Sequence, residues 1–177
     1  MRRRALWLLG IATLALLVVL ALLDGRMHDA GGPGIIPFEL AGSAGRAAEI
    51  LADWGHDGRA AARLSLWLDY LYLIAYGAFL WLAARAVRDG ALRRGWARLA
   101  RPGGVVAALA LAGAACDALE DAFLLLVLGG HGGSVAPPIA TGFAVVKFAC
   151  LAIALLYVLG GLAASGVARL RGAEVRA

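Results

Sequence analysis

The sequence predicts an all-α protein: a polytopic membrane four-helix bundle with a short amphipathic helix in the outer loop between helices one and two. Three observations carry this expectation. Of 177 residues, 62% are hydrophobic, where a soluble domain holds about 45 to 50%. Residues 5–23, 65–87, 104–128 and 139–162 each form a stretch that reaches the roughly 17 to 25 apolar residues a spanning helix needs. Arginines gather at alternate ends of those stretches, as they do in chains threaded through a membrane. A single membrane domain over residues 1–177 follows.

Helix one comes directly after Met1-Arg2-Arg3-Arg4, a start that secretory signals share. A signal has an apolar region of about 7 to 15 residues and a small-residue cleavage site. Here the apolar run continues into Leu22-Leu23-Asp24, so an uncleaved signal-anchor helix is expected.

Arg2, Arg3 and Arg4 precede helix one, and Arg85, Arg88, Arg93, Arg94, Arg98 and Arg101 cluster around the loop over residues 88–103. Arg169, Arg171 and Arg176 follow helix four. Basic residues near helix ends are retained on the cytoplasmic side, which puts both termini and the middle loop inside. The expected location is the bacterial cytoplasmic (inner) membrane, crossed several times. The net charge of +5 then reflects topology and contact with anionic lipid heads, and no nucleic-acid partner is implied.

The outer loop, residues 24–64, divides by composition. Gly25, Gly31, Gly32, Pro33, Gly34 and Pro37 disfavour regular structure in its first part, which reads as a surface loop. From Ser43 the pattern changes to a capped helix over about residues 44–54, with Ala47, Ile50, Leu51 and Trp54 at helical spacing and Gly55 as the stop. Two placements fit this amphipathic helix: in the head-group region, or folded over the mouth of the bundle. The cytoplasmic loop sets Leu92, Trp96 and Leu99 on one side of a basic segment, which suits a lipid-surface contact. The Gly- and Pro-rich third loop, residues 129–138, is short enough to make helices three and four antiparallel neighbours.

Ionisable side chains inside the apolar stretches are the most informative feature. Asp69, Asp117, Glu120, Asp121 and Lys147 would each cost roughly 2.5 to 3.5 kcal/mol at a bilayer centre on insertion scales, so such residues are paired, hydrated or functional. Asp69, Tyr72 and Tyr76 recur three and four apart on helix two, and Ser65 extends their stripe. Asp117, Glu120 and Asp121 share an arc of about 100° on helix three, beside a small-residue strip of Ala110, Ala114, Ala118 and Ala122. Counting from the basic ends puts Glu120, Lys147, Tyr72 and Asp117 at a common depth of about 20 to 24 Å, in the outer half of the membrane.

Lys147 is the only lysine; the other 16 basic residues are arginine. A buried lysine can release its proton and an arginine cannot. One reading is a titratable amine paired with Glu120 or Asp117, and the other is a structural ion pair fastening helix four to helix three. Four acids against one ammonium leave an uncompensated charge that needs protonation, water or a bound cation. The chain has no Asn and no Gln, so neutral amides cannot supply hydrogen bonds between helices.

Phosphate-loop, His-Glu-x-x-His, Gly-x-Ser-x-Gly and Cys-x-x-Cys patterns are all missing. Cys116 and Cys150 read as packing residues. His56 or His131 beside Asp69 and Asp121 lacks ligand spacing, and no metal or cofactor is assigned.

The segments Phe38-Glu39-Leu40-Ala41, residues 48–55, Leu68-Asp69-Tyr70-Leu71-Tyr72, Ala75-Tyr76-Gly77, residues 117–121 and Val146-Lys147-Phe148 together resemble a group of small bacterial four-helix integral membrane proteins. The resemblance covers about residues 37–160 and includes the Asp, Asp-x-x-Glu and Lys positions in order. In that group the residue after the Glu often resembles Asn, whereas Asp121 stands here. It implies that the loop helix and the buried charges form one unit, and it carries no activity with it.

The expected site comprises Asp69, Tyr72, Tyr76, Asp117, Glu120, Asp121 and Lys147, forming a pocket for a small polar ligand, a cation or a lipid head group. Membrane lipids are the expected surroundings, with homo- or hetero-oligomers equally open. The first alternative is a membrane-embedded enzyme acting on a lipid or isoprenoid, with Asp117, Glu120 and Asp121 as acid, base or metal ligands. The second is a purely structural ion-pair network in a subunit of a larger complex. Ion translocation is disfavoured because the cytoplasmic half offers no polar relay.

Overall fold

Six helices, and no strand among the described residues, make up the computed structural model, which describes residues 2–174. Met1 and residues 175–177 lie outside them, and with them Arg176, which entered the orientation count. The helices are α1 (Arg2–Asp29), α2 (Ile35–Glu39), α3 (Ala44–Arg93), α4 (Ala97–Ala100), α5 (Gly103–Leu128) and α6 (Ala136–Glu174). Three are long and apolar enough to cross a membrane, over Arg3–Asp29, Ala44–Arg93 and Ala136–Ala168. The remaining apolar stretch, residues 104–128, forms α5, which carries the acidic triplet.

Small residues let these helices approach closely. α1 packs along α3, which also packs on α5, and α5 packs on α6. A Cβ at Gly77 would stand 2.9 Å from that of Ala114, and one at Gly113 would stand 3.1 Å from that of Cys150. The small-residue strip on α5 is buried only in part: Ala110 and Ala114 are covered, Ala118 is half-buried and Ala122 is exposed. The face that packs instead turns from Ala114 through Asp117, Glu120 and Asp121 to Leu124, so the acids replace alanine at the interface. Both cysteines are free.

α1 is apolar around its whole circumference. Trp7, Leu8, Leu14 and Leu22 are each more than 60% exposed, as lipid-facing residues are. At one end of the molecule, Arg94 donates to Ser165 Oγ and Tyr157 donates to the Leu99 carbonyl. Leu99 is therefore tied to α6.

The opposite end is closed by residues 30–54, between α1 and the long run of α3. Gly55 has φ 54° and ψ −150°, a left-handed φ that favours glycine, and it bends α3 so that residues 44–54 fold back over the helix ends. The first helical run therefore ends at Gly55, as the sequence predicts, and a second run begins beyond it and continues to Arg93. The fold-back buries Ile50 and Trp54 with Phe38 and Met27, and the Phe38 and Trp54 rings lie 4.9 Å apart. Trp54 Nε1 donates to the Pro33 carbonyl. Of the two placements open to this helix, it takes the one over the bundle.

The Gly- and Pro-rich segment after α1 is not wholly irregular. Ile35, Ile36, Pro37, Phe38 and Glu39 form the short helix α2. Gly34 offers no side-chain cap, and Asp24, at the end of α1, takes that role by accepting from the Ile35 N–H at 2.7 Å. At the other end, Thr141 of α6 donates to the Glu39 carbonyl at 2.8 Å and accepts from the Gly42 N–H at 3.0 Å.

Candidate functional site

Lys147 is the hub. It stands on α6 one helical step from Ala144 and Cys150, both buried, so the face that packs α6 into the bundle carries the amine inward. Its Nζ donates to Asp117 Oδ1 at 2.7 Å, and Glu120 Oε2 and Glu39 Oε2 lie at 2.8 and 3.3 Å. One ammonium thus holds acids from two elements, α5 and α2. Asp117 is fixed from its other side by Tyr76, whose hydroxyl donates to Oδ2 at 2.7 Å.

Glu39 was not among the residues singled out from the sequence. It is 8% exposed, and burial pushes its carboxyl above the ordinary Glu range, with the Lys147 ammonium opposing that shift. The signal that could have found it is an acid following the apolar run Ile35, Ile36 and Phe38 in a loop otherwise made of Gly and Pro.

The predicted residues divide into two groups. Asp117, Glu120, Tyr76 and Lys147 form the paired network. Glu120 is fully buried, and its Oε1 has no hydrogen-bond partner. Asp69 and Asp121 stand outside the reach of Lys147, and among the described residues neither has an ion-pair partner. Asp121 is 1% exposed and its Oδ2 lacks a hydrogen-bond partner. Tyr72 is half-buried with its ring 5.0 Å from that of Tyr76. Its neighbour Tyr70, absent from the expected set, donates to the Ala118 carbonyl at 3.0 Å.

Asp69, Asp117, Asp121, Lys147, Tyr72 and Tyr76 line one wall of a cavity of about 500 Å³. Leu17 and Leu20 of α1, Phe148 and Leu151 of α6, and Ile36 and Pro37 of α2 supply its apolar side. The space therefore lies between α1 and α6, beneath α2, with a charged wall facing an aliphatic one. One carboxylate oxygen from each of Asp69, Asp117 and Asp121 lies within 4.8 Å of the other two. The histidines weighed as ligands are elsewhere: His56 is almost fully exposed beside Asp57, and His131 is exposed in the third loop.

With all groups ionised, Glu39, Asp69, Asp117, Glu120 and Asp121 outnumber Lys147 by four charges. No family model, curated protein or solved structure matches the chain.

Proposed function

We propose that this is an integral protein of the bacterial cytoplasmic membrane whose cavity binds a positively charged ligand, either a cation or a cationic head group, from the outer side. α5 is read as the fourth span of the bundle. Its 26 residues are about 39 Å long at 1.5 Å each, and its three acids are buried. Arginines around the α3–α5 connection support a cytoplasmic assignment for that end and for both termini. The resemblance to small bacterial four-helix membrane proteins agrees with this setting.

The observation that carries the reading is the surplus of acids on the cavity wall. Lys147 pairs with Glu39, Asp117 and Glu120, and that network fastens α2, α5 and α6. Fastening by Lys147 leaves out Asp69 and Asp121, which line the cavity beside one another without an ion-pair partner among the described residues. Buried carboxylates without a counter-charge are costly, and a cationic ligand supplies the missing charge. The aliphatic wall offers room beside it for a lipid chain.

Thermal unfolding of the detergent-purified protein tests the reading. Tetramethylammonium chloride and magnesium chloride are each compared with sodium chloride at equal ionic strength. A ligand that binds only the folded state raises Tm by mass action. At least one of the two should raise Tm in wild type and leave Asp69→Asn unmoved. Equal Tm in all three salts rejects the proposal.

A further inference from the structure

We infer that the cation is a divalent metal ion, held by Asp69, Asp117 and Asp121 on the charged wall of the cavity; this rests on the cation-binding reading and narrows it. The donors come from α3 and α5, and their oxygens lie within 4.8 Å of one another. Two oxygens on opposite sides of one ion bound at about 2.0 to 2.6 Å are separated by about 4 to 5 Å, so one ion can reach all three. A separate observation points into the same place. Asp121 is 1% exposed and lines the cavity, and its Oδ2 has no hydrogen-bond partner among the described residues. A buried acceptor that the fold leaves unsatisfied costs free energy, and a metal ion would satisfy it.

The surroundings suit a metal centre. Asp117 accepts from Tyr76 and Lys147, which fixes the orientation of its carboxylate while leaving lone pairs free, as supporting hydrogen bonds do for metal ligands. The donor set is all oxygen, which favours Mg²⁺, Mn²⁺ or Ca²⁺ over the metals that prefer sulfur or imidazole. Three protein ligands leave coordination positions open, and the cavity of about 500 Å³ has space for water or a ligand oxygen there. An anionic or neutral head group could then be received through the metal despite the acidic wall.

The test titrates chelator-stripped, detergent-purified protein with Mn²⁺ and follows free Mn²⁺ by its paramagnetic resonance signal. One Mn²⁺ per chain is expected, displaced by Mg²⁺ or Ca²⁺. Asp69→Asn and Asp121→Asn should each weaken binding at least about tenfold. Asp57→Asn, an exposed acid outside the site, should bind as wild type does. Asp69 is only half-buried, so its variant remains testable should Asp121→Asn fail to fold. Absence of stoichiometric Mn²⁺ in wild type, or equal weakening by Asp57→Asn, overturns the inference. If Mn²⁺ does not bind while tetramethylammonium raises Tm, the metal is wrong and the cation-binding reading stands. If neither acts, both fall.

Discussion

Lys147 donates to Asp117 at 2.7 Å across the interface between α6 and α5, and both residues are at least 95% buried. Each is the other's counter-charge at a buried interface, where salt screens little. The pair anchors everything around it. Asp117 receives Tyr76 from α3, and Lys147 reaches Glu39 on α2. Three consequences for stability follow, and a fourth concerns the cavity.

Lys147→Met should destabilise the protein by about 3 to 5 kcal/mol, because removing one partner of a buried pair leaves its acids uncompensated. Adding Asp117→Asn to that variant should recover part of the loss. Denaturant unfolding of wild type, both single variants and the double variant measures the coupling. Additive losses would mean that the two residues do not act as a pair.

Tyr76→Phe removes a hydrogen bond to a charged group, worth about 1.5 to 3 kcal/mol. Tyr72→Phe should cost much less, since the Tyr72 hydroxyl makes no hydrogen bond among the described residues and its ring remains beside Tyr76. The same unfolding assay compares them.

Glu39 gives the docking of α2 a pH dependence. It faces Lys147, Asp117 and Glu120, and burial raises its carboxyl above the ordinary value of 4.5. The docked loop therefore holds a proton that the undocked loop has released. Its contribution is fully present below pH 4.5 and is lost as pH rises toward the folded-state value. Hydrogen exchange of residues 35–54 at a series of pH values, with exchange rates corrected for their intrinsic pH dependence, should show protection falling as pH rises from 4.5. Glu39→Gln should flatten that trend.

Much of this site was legible because its parts sit on long helices. The three- and four-residue spacings that put Asp69, Tyr72 and Tyr76 on one stripe and Asp117, Glu120 and Asp121 on another are properties of any helix. The lone lysine stood out by composition. Glu39 escaped because its helix has five residues, too few to show a period. Its N-terminal cap, Asp24, lies 11 residues away. The stop at Gly55 was legible because glycine takes a left-handed φ without steric cost, whereas the second helical run that begins directly beyond it, at the polar stretch His56-Asp57-Gly58-Arg59, was not. The division of the acids into paired and unpaired depends on side-chain reach across helices, which no spacing along one chain specifies.

The central claim is that Asp69 and Asp121 serve a cation and not the fold. Unfolding of wild type and of Asp69→Asn/Asp121→Asn in one detergent, with and without added magnesium or tetramethylammonium chloride, tests it most directly. Removing unpaired buried charge relieves repulsion, and residues kept for function are often held at a cost to stability. The expected result is a double variant at least as stable as the cation-free wild type that gains nothing from either cation. A double variant markedly less stable than the cation-free wild type, together with a wild type indifferent to both cations, would contradict it and leave the acids as part of the fastening.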